Sequence, residues 1–91
     1  MPIDTGLPVL LVDASPAFRS RVRLLMRRSR RFRLVGEAAT AADAMILAAR
    51  LRPGLVVLDV DLPDGSGVQA GLWMRRLMPP PVVLLLSLIH I

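Results

Sequence analysis

The chain has no cysteine and no lysine, and aromatic residues make up only 3% of it. Without cysteine there is neither a disulfide framework nor a thiolate metal site. No apolar stretch reaches the roughly 18–20 residues that a membrane-spanning helix needs, because Pro, Gly and Asp interrupt the sequence at short intervals. The segment Met1-Pro2-Ile3-Asp4-Thr5-Gly6 lacks the basic-then-apolar layout of a signal peptide. These absences give the expectation of a cytoplasmic protein with no membrane contact. At 91 residues the chain makes one domain at most, and a small one with a modest stability margin. Its mean hydropathy is nevertheless high, +0.56.

All twelve basic residues are arginine, and eight of them lie between Arg19 and Arg33. A basic cluster can be a nucleic-acid or membrane-surface footprint. Here Phe18, Val22, Leu25 and Met26 keep a helical apolar stripe, so the arginines fall on the other faces of an amphipathic helix. No aromatic residues interleave with them to stack on bases. The cluster therefore reads as a solvated face, with no direct nucleic-acid contact expected.

Two runs carry most of the remaining information: Val9-Leu10-Leu11-Val12-Asp13 and Leu55-Val56-Val57-Leu58-Asp59-Val60-Asp61. Each is a block of β-formers ending in a carboxylate. Short apolar runs bounded by Pro or Gly read as strands buried on both faces. In an open parallel sheet, ligands collect outside the carboxyl ends of the strands where strand order reverses. If the two runs are neighbours, Asp13 and Asp59 meet at that crevice. Clustered carboxyl oxygens with few counter-charges suit a hard cation, Mg²⁺ foremost. A carboxylate so placed is also one of the side chains that can accept a phosphoryl group covalently.

Along the chain, Ser15-Pro16 is a helix start, with Ser as N-cap and Pro at the first helical position. That helix is expected from Pro16 to about Arg30, followed by a strand from Arg31 to Ala38. Thr40-Ala41-Ala42-Asp43 resembles a capping box with Asp in place of Glu, opening an alanine-rich helix to about Arg52. Pro53-Gly54 launches the strand Leu55–Leu58, and Pro63-Asp64-Gly65-Ser66-Gly67 is a turn. A third helix is expected from about Ser66 to Leu77, stopping before Pro79-Pro80-Pro81, and a last strand from Val82 to Leu86. Trp73, Met26, Met45, Met74 and Met78 sit at helical positions and read as packing residues. The order β-α-β-α-β-α-β with short connections predicts an α/β doubly wound parallel sheet.

These motifs, in this order and spacing, resemble the receiver domain of bacterial two-component response regulators. Leu10-Leu11-Val12-Asp13, Ser15-Pro16 and Phe18-Arg19 look like the family's first strand and the beginning of its first helix. Val35-Gly36-Glu37-Ala38 looks like its second strand. Pro53 to Asp59, then Pro63, Gly65 and Gly67, look like the phosphoacceptor strand and the loop after it. The resemblance implies a flavodoxin-like topology, here incomplete, with about four strands and three helices. It implies that Asp59 receives a phosphoryl group from a histidine kinase or phosphotransfer protein. Asp13 matches one of two adjacent acidic residues that help hold Mg²⁺, and Asp61 matches the position whose main-chain carbonyl completes the metal site. Ser87 matches the hydroxyl residue that contacts the phosphoryl group. A receiver of this kind is not an enzyme on external substrates. It controls an output domain absent from this chain, and the full-length parent can form a homodimer.

Two departures from the family pattern stand out. Ala14 occupies the place of the second acidic residue, which removes one charged oxygen from the metal site. The chain also stops at the family's fourth strand, so the fifth strand with its phosphate-binding lysine has no counterpart. The tail Leu86-Ser87-Leu88-Ile89-His90-Ile91 is what CTGTCTCTTATACACATC encodes, a string that looks like a transposon mosaic-end adapter. The expected organisation is therefore an extension over 1–8, a truncated receiver domain over 9–85 and a non-native tail over 86–91. The lone His90, with no carboxylate or second histidine near it, makes a poor ligand or base. Two alternatives remain at this stage. One is a pseudo-receiver scaffold that is not phosphorylated. The other is a fragment of a haloacid-dehalogenase-type phosphohydrolase, suggested by Asp59-Val60-Asp61. That family needs a downstream lysine, which this chain lacks, and it leaves Val9 to Arg19 unexplained.

Overall fold

The apolar blocks at Leu7–Val12 and Leu55–Asp59 form adjacent parallel strands, β1 and β3, in a computed structural model that describes residues 6–87. Between them run α1 (Pro16–Arg27), β2 (Phe32–Ala38) and α2 (Ala41–Leu51). After β3 come the two-residue strands β4 (Asp61–Leu62) and β5 (Gly65–Ser66), then α3 (Gly67–Met74) and β6 (Val82–Leu86). The main sheet has the order β2-β1-β3-β6, and every pair in it is parallel. From β1 the chain moves outward to β2, then returns to the other side of β1 for β3 and β6. The reversal of strand order thus lies between β1 and β3. This is the doubly wound arrangement expected from the sequence. His90 lies outside the described residues.

Where bounds differ from expectation, hydrogen bonds explain the shift. Helix α1 ends at Arg27 because Arg28 and Ser29 donate to Leu25 and Met26 carbonyls three residues back, tightening the last turn. The Ser29 hydroxyl then accepts from the Arg31 and Phe32 amides at 3.1 and 3.2 Å and turns the chain into β2. Helix α3 closes in the same way, with Arg76 and Leu77 bonding to Trp73 and Met74. The Pro63–Gly67 turn is the tip of a small hairpin in which β4 and β5 pair antiparallel.

The core lies between the sheet and the α2/α3 face. Leu10 and Val12 of β1 and Val56 and Leu58 of β3 are buried against Ala44 and Ala48 of α2 and Ala70 and Met74 of α3. Each fully buried leucine contributes about 1.5–3 kcal/mol relative to exposure. Small alanines at these α2 positions let the helix approach the sheet closely. On the opposite face Val9 and Leu11 of β1 are fully buried as well, although no residue of α1 is itself buried, and Leu25, expected in its apolar stripe, is 71% exposed. Met74 is fully buried as anticipated, whereas Trp73, on the outer side of α3, is 39% exposed and Met78, beyond the end of α3, is 78% exposed.

Candidate functional site

The site forms where β1 and β3 end. Val12 pairs with Leu58, so Asp13 and Asp59 follow the last paired residues of two neighbouring strands at the reversal point. Asp13 is the buried charged residue of the described chain, at 2% exposure. Its Oδ1 accepts the Ser15 amide at 2.8 Å, which also shapes the bend that begins α1. The Ser15 hydroxyl in turn caps the helix by accepting from the Phe18 amide at 3.2 Å. The Asp59 Oδ1 accepts the Asp61 amide at 3.0 Å. Both carboxylates are thus oriented by a main-chain N–H two residues ahead. Among the described residues, neither Oδ2 accepts a hydrogen bond.

The expected residues fall on one end of the sheet, and they reach it differently. Asp59 is half-buried and held at the tip of β3, while Asp61 opens β4 and its side chain is exposed. Leu86 pairs with Asp59, and its carbonyl accepts the Val60 amide at 3.0 Å. Ser87 therefore follows at the same end of the neighbouring strand, exposed. Ala14 is exposed beside the buried Asp13. Among the described residues no three His, Cys, Asp or Glu side chains converge as a metal cluster. The donor set is two carboxylates with main-chain carbonyls nearby, all hard oxygens. That fits Mg²⁺, which uses one or two carboxylates and keeps several waters.

Several further residues shape the site and were not singled out as functional by sequence. Gly67, the first residue of α3, packs so closely on the end of β3 that an added Cβ would strike the Asp59 carbonyl. Its amide donates to the Val60 carbonyl at 2.9 Å. Asp64, at the hairpin tip, accepts from the Ala41 and Ala42 amides at 2.7 and 3.0 Å and so ties the loop after Asp59 to the start of α2. These amide bonds, that from Ala41 first, hold the Asp64 carboxyl below its usual range. Arg19 donates to the Asp13 carbonyl and lies 3.4 Å from Glu37. Glu37 also receives a two-pronged bond from Arg23 at 2.7 and 2.8 Å. Hydrogen bonding by Arg23 lowers the Glu37 carboxyl from its ordinary value, against a smaller opposing effect of burial. Arg19 and Arg23 are thus structural, although they belong to the run read as a solvated face. The available signal was spacing: Arg19 and Arg23 stand four apart, on one side of a helix.

Comparison with known proteins gives a consistent picture. The family model for the response regulator receiver domain matches residues 9–90. A protein-glutamate methylesterase/protein-glutamine glutaminase of Agrobacterium fabrum is 33% identical over 82 residues, covering 90% of this chain and 23% of that protein. The chain thus spans less than a quarter of that curated relative. Among solved structures, a LuxR-family two-component response regulator from Aurantimonas sp. SI85-9A1 superposes with a TM-score of 0.83 at 29% identity. The match covers 94% of this chain and 61% of that one. The response regulator domain of Thermotoga maritima CheB gives a TM-score of 0.80 at 26% identity, covering 90% and 60%.

Proposed function

The chain belongs to the receiver family of two-component response regulators, whose role is to accept a phosphoryl group, and we propose that Asp59 is the residue that accepts it. The observation that carries this reading is the pairing of Val12 with Leu58, which sets Asp13 and Asp59 side by side where strand order reverses. The donor is a phosphohistidine on a kinase or phosphotransfer protein. The Asp59 Oδ2, which bonds to no described residue, attacks phosphorus as the phosphorus–nitrogen bond breaks. The imidazole leaves and takes up a proton, and Asp59 becomes an acyl phosphate. The amide of Asp61 holds Oδ1 and so orients the carboxylate for in-line attack.

Mg²⁺ would be held by the carboxylates of Asp13 and Asp59 and the main-chain carbonyl of Asp61. When bound it neutralises charge on the phosphoryl oxygens that would otherwise repel the nucleophile. Ala14 supplies no such oxygen, so phosphorylation by this chain is metal-demanding. No methylesterase chemistry is assigned to this chain, and no described helix is long and apolar enough to cross a membrane.

The test is incubation with a small phosphoryl donor such as phosphoramidate, read by intact mass. A single added phosphoryl group, absent in Asp59→Asn, is expected. Modification that persists in Asp59→Asn, or none at saturating Mg²⁺, would remove Asp59 from this role. Continuous release of phosphate from a phosphate monoester such as p-nitrophenyl phosphate, which does not phosphorylate a receiver aspartate, would instead favour a hydrolase.

A further inference from the structure

A groove of about 710 Å³ runs along the free edge of β2, walled on its other side by the end of α1 and the turn after it. It includes none of Asp13, Asp59 or Asp61, so it is separate from the phosphoryl chemistry. Four arginines line it: Arg23, Arg27, Arg30 and Arg33. Its one acid, Glu37, is already engaged by Arg23 and Arg19. Among the described residues Arg27, Arg30 and Arg33 have no ion-pair partner. The Arg33 Nε is shielded from solvent and has no hydrogen-bond partner there either. A buried donor left without an acceptor is costly and calls for one.

The shape of the groove narrows what the acceptor belongs to. As the outermost strand, β2 leaves alternate backbone N–H and C=O groups without a strand partner. Phe32, Leu34 and Val35 add apolar lining. A carboxylate-bearing extended peptide satisfies all of these at once. Its backbone pairs with the edge, and its acids meet guanidinium groups in the two-pronged geometry that arginine favours. Phosphodiesters would match the arginines and leave the strand edge unmatched. A second copy joined edge to edge would set the two arginine groups against each other. The register of β2 against β1 also skips Val35, a bulge between Leu34 and Gly36 that breaks the regularity of the strand and limits an added partner to a short segment.

We infer that the α1–β2 groove is a docking site for an extended acidic segment of a partner protein, added as a strand to the edge of β2. The probe is a fluorescent hexapeptide alternating glutamate and valine, titrated into the whole chain and followed by anisotropy. Saturable binding is expected, with the lysine–valine analogue silent. The double variant Arg27→Gln/Arg30→Gln, at two exposed positions, should weaken it at least about tenfold. An alternately N-methylated version of the same peptide, offered to the unaltered chain, should lose binding because it cannot pair with the edge. That arm decides the matter even if the variant folds poorly. Absence of saturable binding would overturn the inference, as would equal binding of the N-methylated or lysine peptide. Tighter binding of an oligothymidylate than of the acidic peptide would identify the groove as a nucleic-acid surface instead.

Discussion

Gly67→Ala is the substitution whose outcome separates local propensity from tertiary packing. Helix propensity favours alanine over glycine by about 0.8–1.0 kcal/mol in a helix interior. On that basis the variant at the first position of α3 should be neutral or stabilising. The structure argues the reverse. The new Cβ would overlap the Asp59 carbonyl oxygen and stand 2.8 Å from both the Asp59 carbonyl carbon and the Val60 Cα. The carbonyl oxygen sets the requirement: restoring an ordinary carbon–oxygen separation of about 3.2 Å needs a backbone movement of about 1.3 Å between α3 and the end of β3. No rotamer change can supply it, because every atom met is main chain. Overpacking of this kind costs about 2–3 kcal/mol.

For a chain of 91 residues, whose total stability is on the order of 5–14 kcal/mol, that loss is a large fraction. It corresponds to a fall in Tm of about 10–20 °C. Gly54→Ala is the control. There the Cβ meets only the side chain of Leu7, which is 42% exposed and free to rotate away. Its cost should stay below about 1 kcal/mol. Urea titrations followed by circular dichroism measure both. A Gly67→Ala midpoint equal to or above that of the unaltered chain would refute the packing argument, since propensity would then have won.

Other consequences follow from the caps and the ion pairs. Ser15→Ala removes the acceptor for the Phe18 amide and should cost about 1 kcal/mol in the same titration. Asp64→Asn should lower the midpoint at neutral pH, because a neutral amide is a poorer acceptor for the Ala41 and Ala42 amides. Because the folded Asp64 carboxyl is depressed, its stabilisation is present above the unfolded carboxylate pKa and is lost as pH falls through the folded value. The gap between Asp64→Asn and the unaltered chain should therefore close on acidification. A gap that stays constant with pH would contradict this. Glu37 has the same sign for the same reason, with Arg23 as the dominant partner. Glu37→Gln should accordingly flatten the acid limb of the stability–pH curve.

The sheet and its polarity were legible in the chain because strands buried on both faces leave continuous apolar blocks. Val9–Val12 and Leu55–Leu58 are such blocks, and each is punctuated by the aspartate that marks the carboxyl end. Caps were legible at Ser15 and Thr40, whose side chains accept amides three residues on, as their motifs imply. What escaped was long-range. The Asp64 bond to α2 joins residues 23 apart. A turn-favouring aspartate carries no mark of a distant helix it will cap. The Arg23–Glu37 pair spans 14 residues in sequence and was hidden inside a charge run whose average behaviour is solvation. Gly67 could be placed in a loop by its neighbours, but its contact with Asp59 depends on where α3 lands. Helix ends shifted for a similar reason: three-residue hydrogen bonds after Leu25 and Trp73 truncate helices whose composition would have let them continue.

Ala14 offers the cleanest separation between folding and chemistry. It is exposed, it follows the buried Asp13, and no described side chain packs upon it as part of the core. An aspartate introduced there displaces nothing, so at saturating Mg²⁺ the stability of Ala14→Asp should remain within about 0.5 kcal/mol of the unaltered chain. Asp13 itself stays fixed by the Ser15 amide and by Arg19, neither of which involves the Ala14 side chain. Any change in phosphorylation must then come from the added carboxylate at the site. The expected result is a several-fold fall in the Mg²⁺ concentration needed for half-maximal phosphorylation of Asp59, since one more charged oxygen strengthens a hard-cation site. Repulsion from the two existing carboxylates works in the opposite direction at low Mg²⁺. The rate without metal should therefore drop while the metal-saturated rate rises. Superimposable Mg²⁺ titrations for Ala14→Asp and the unaltered chain would mean that position 14 does not face the metal, and the assignment of Asp13 as a ligand would fall with it.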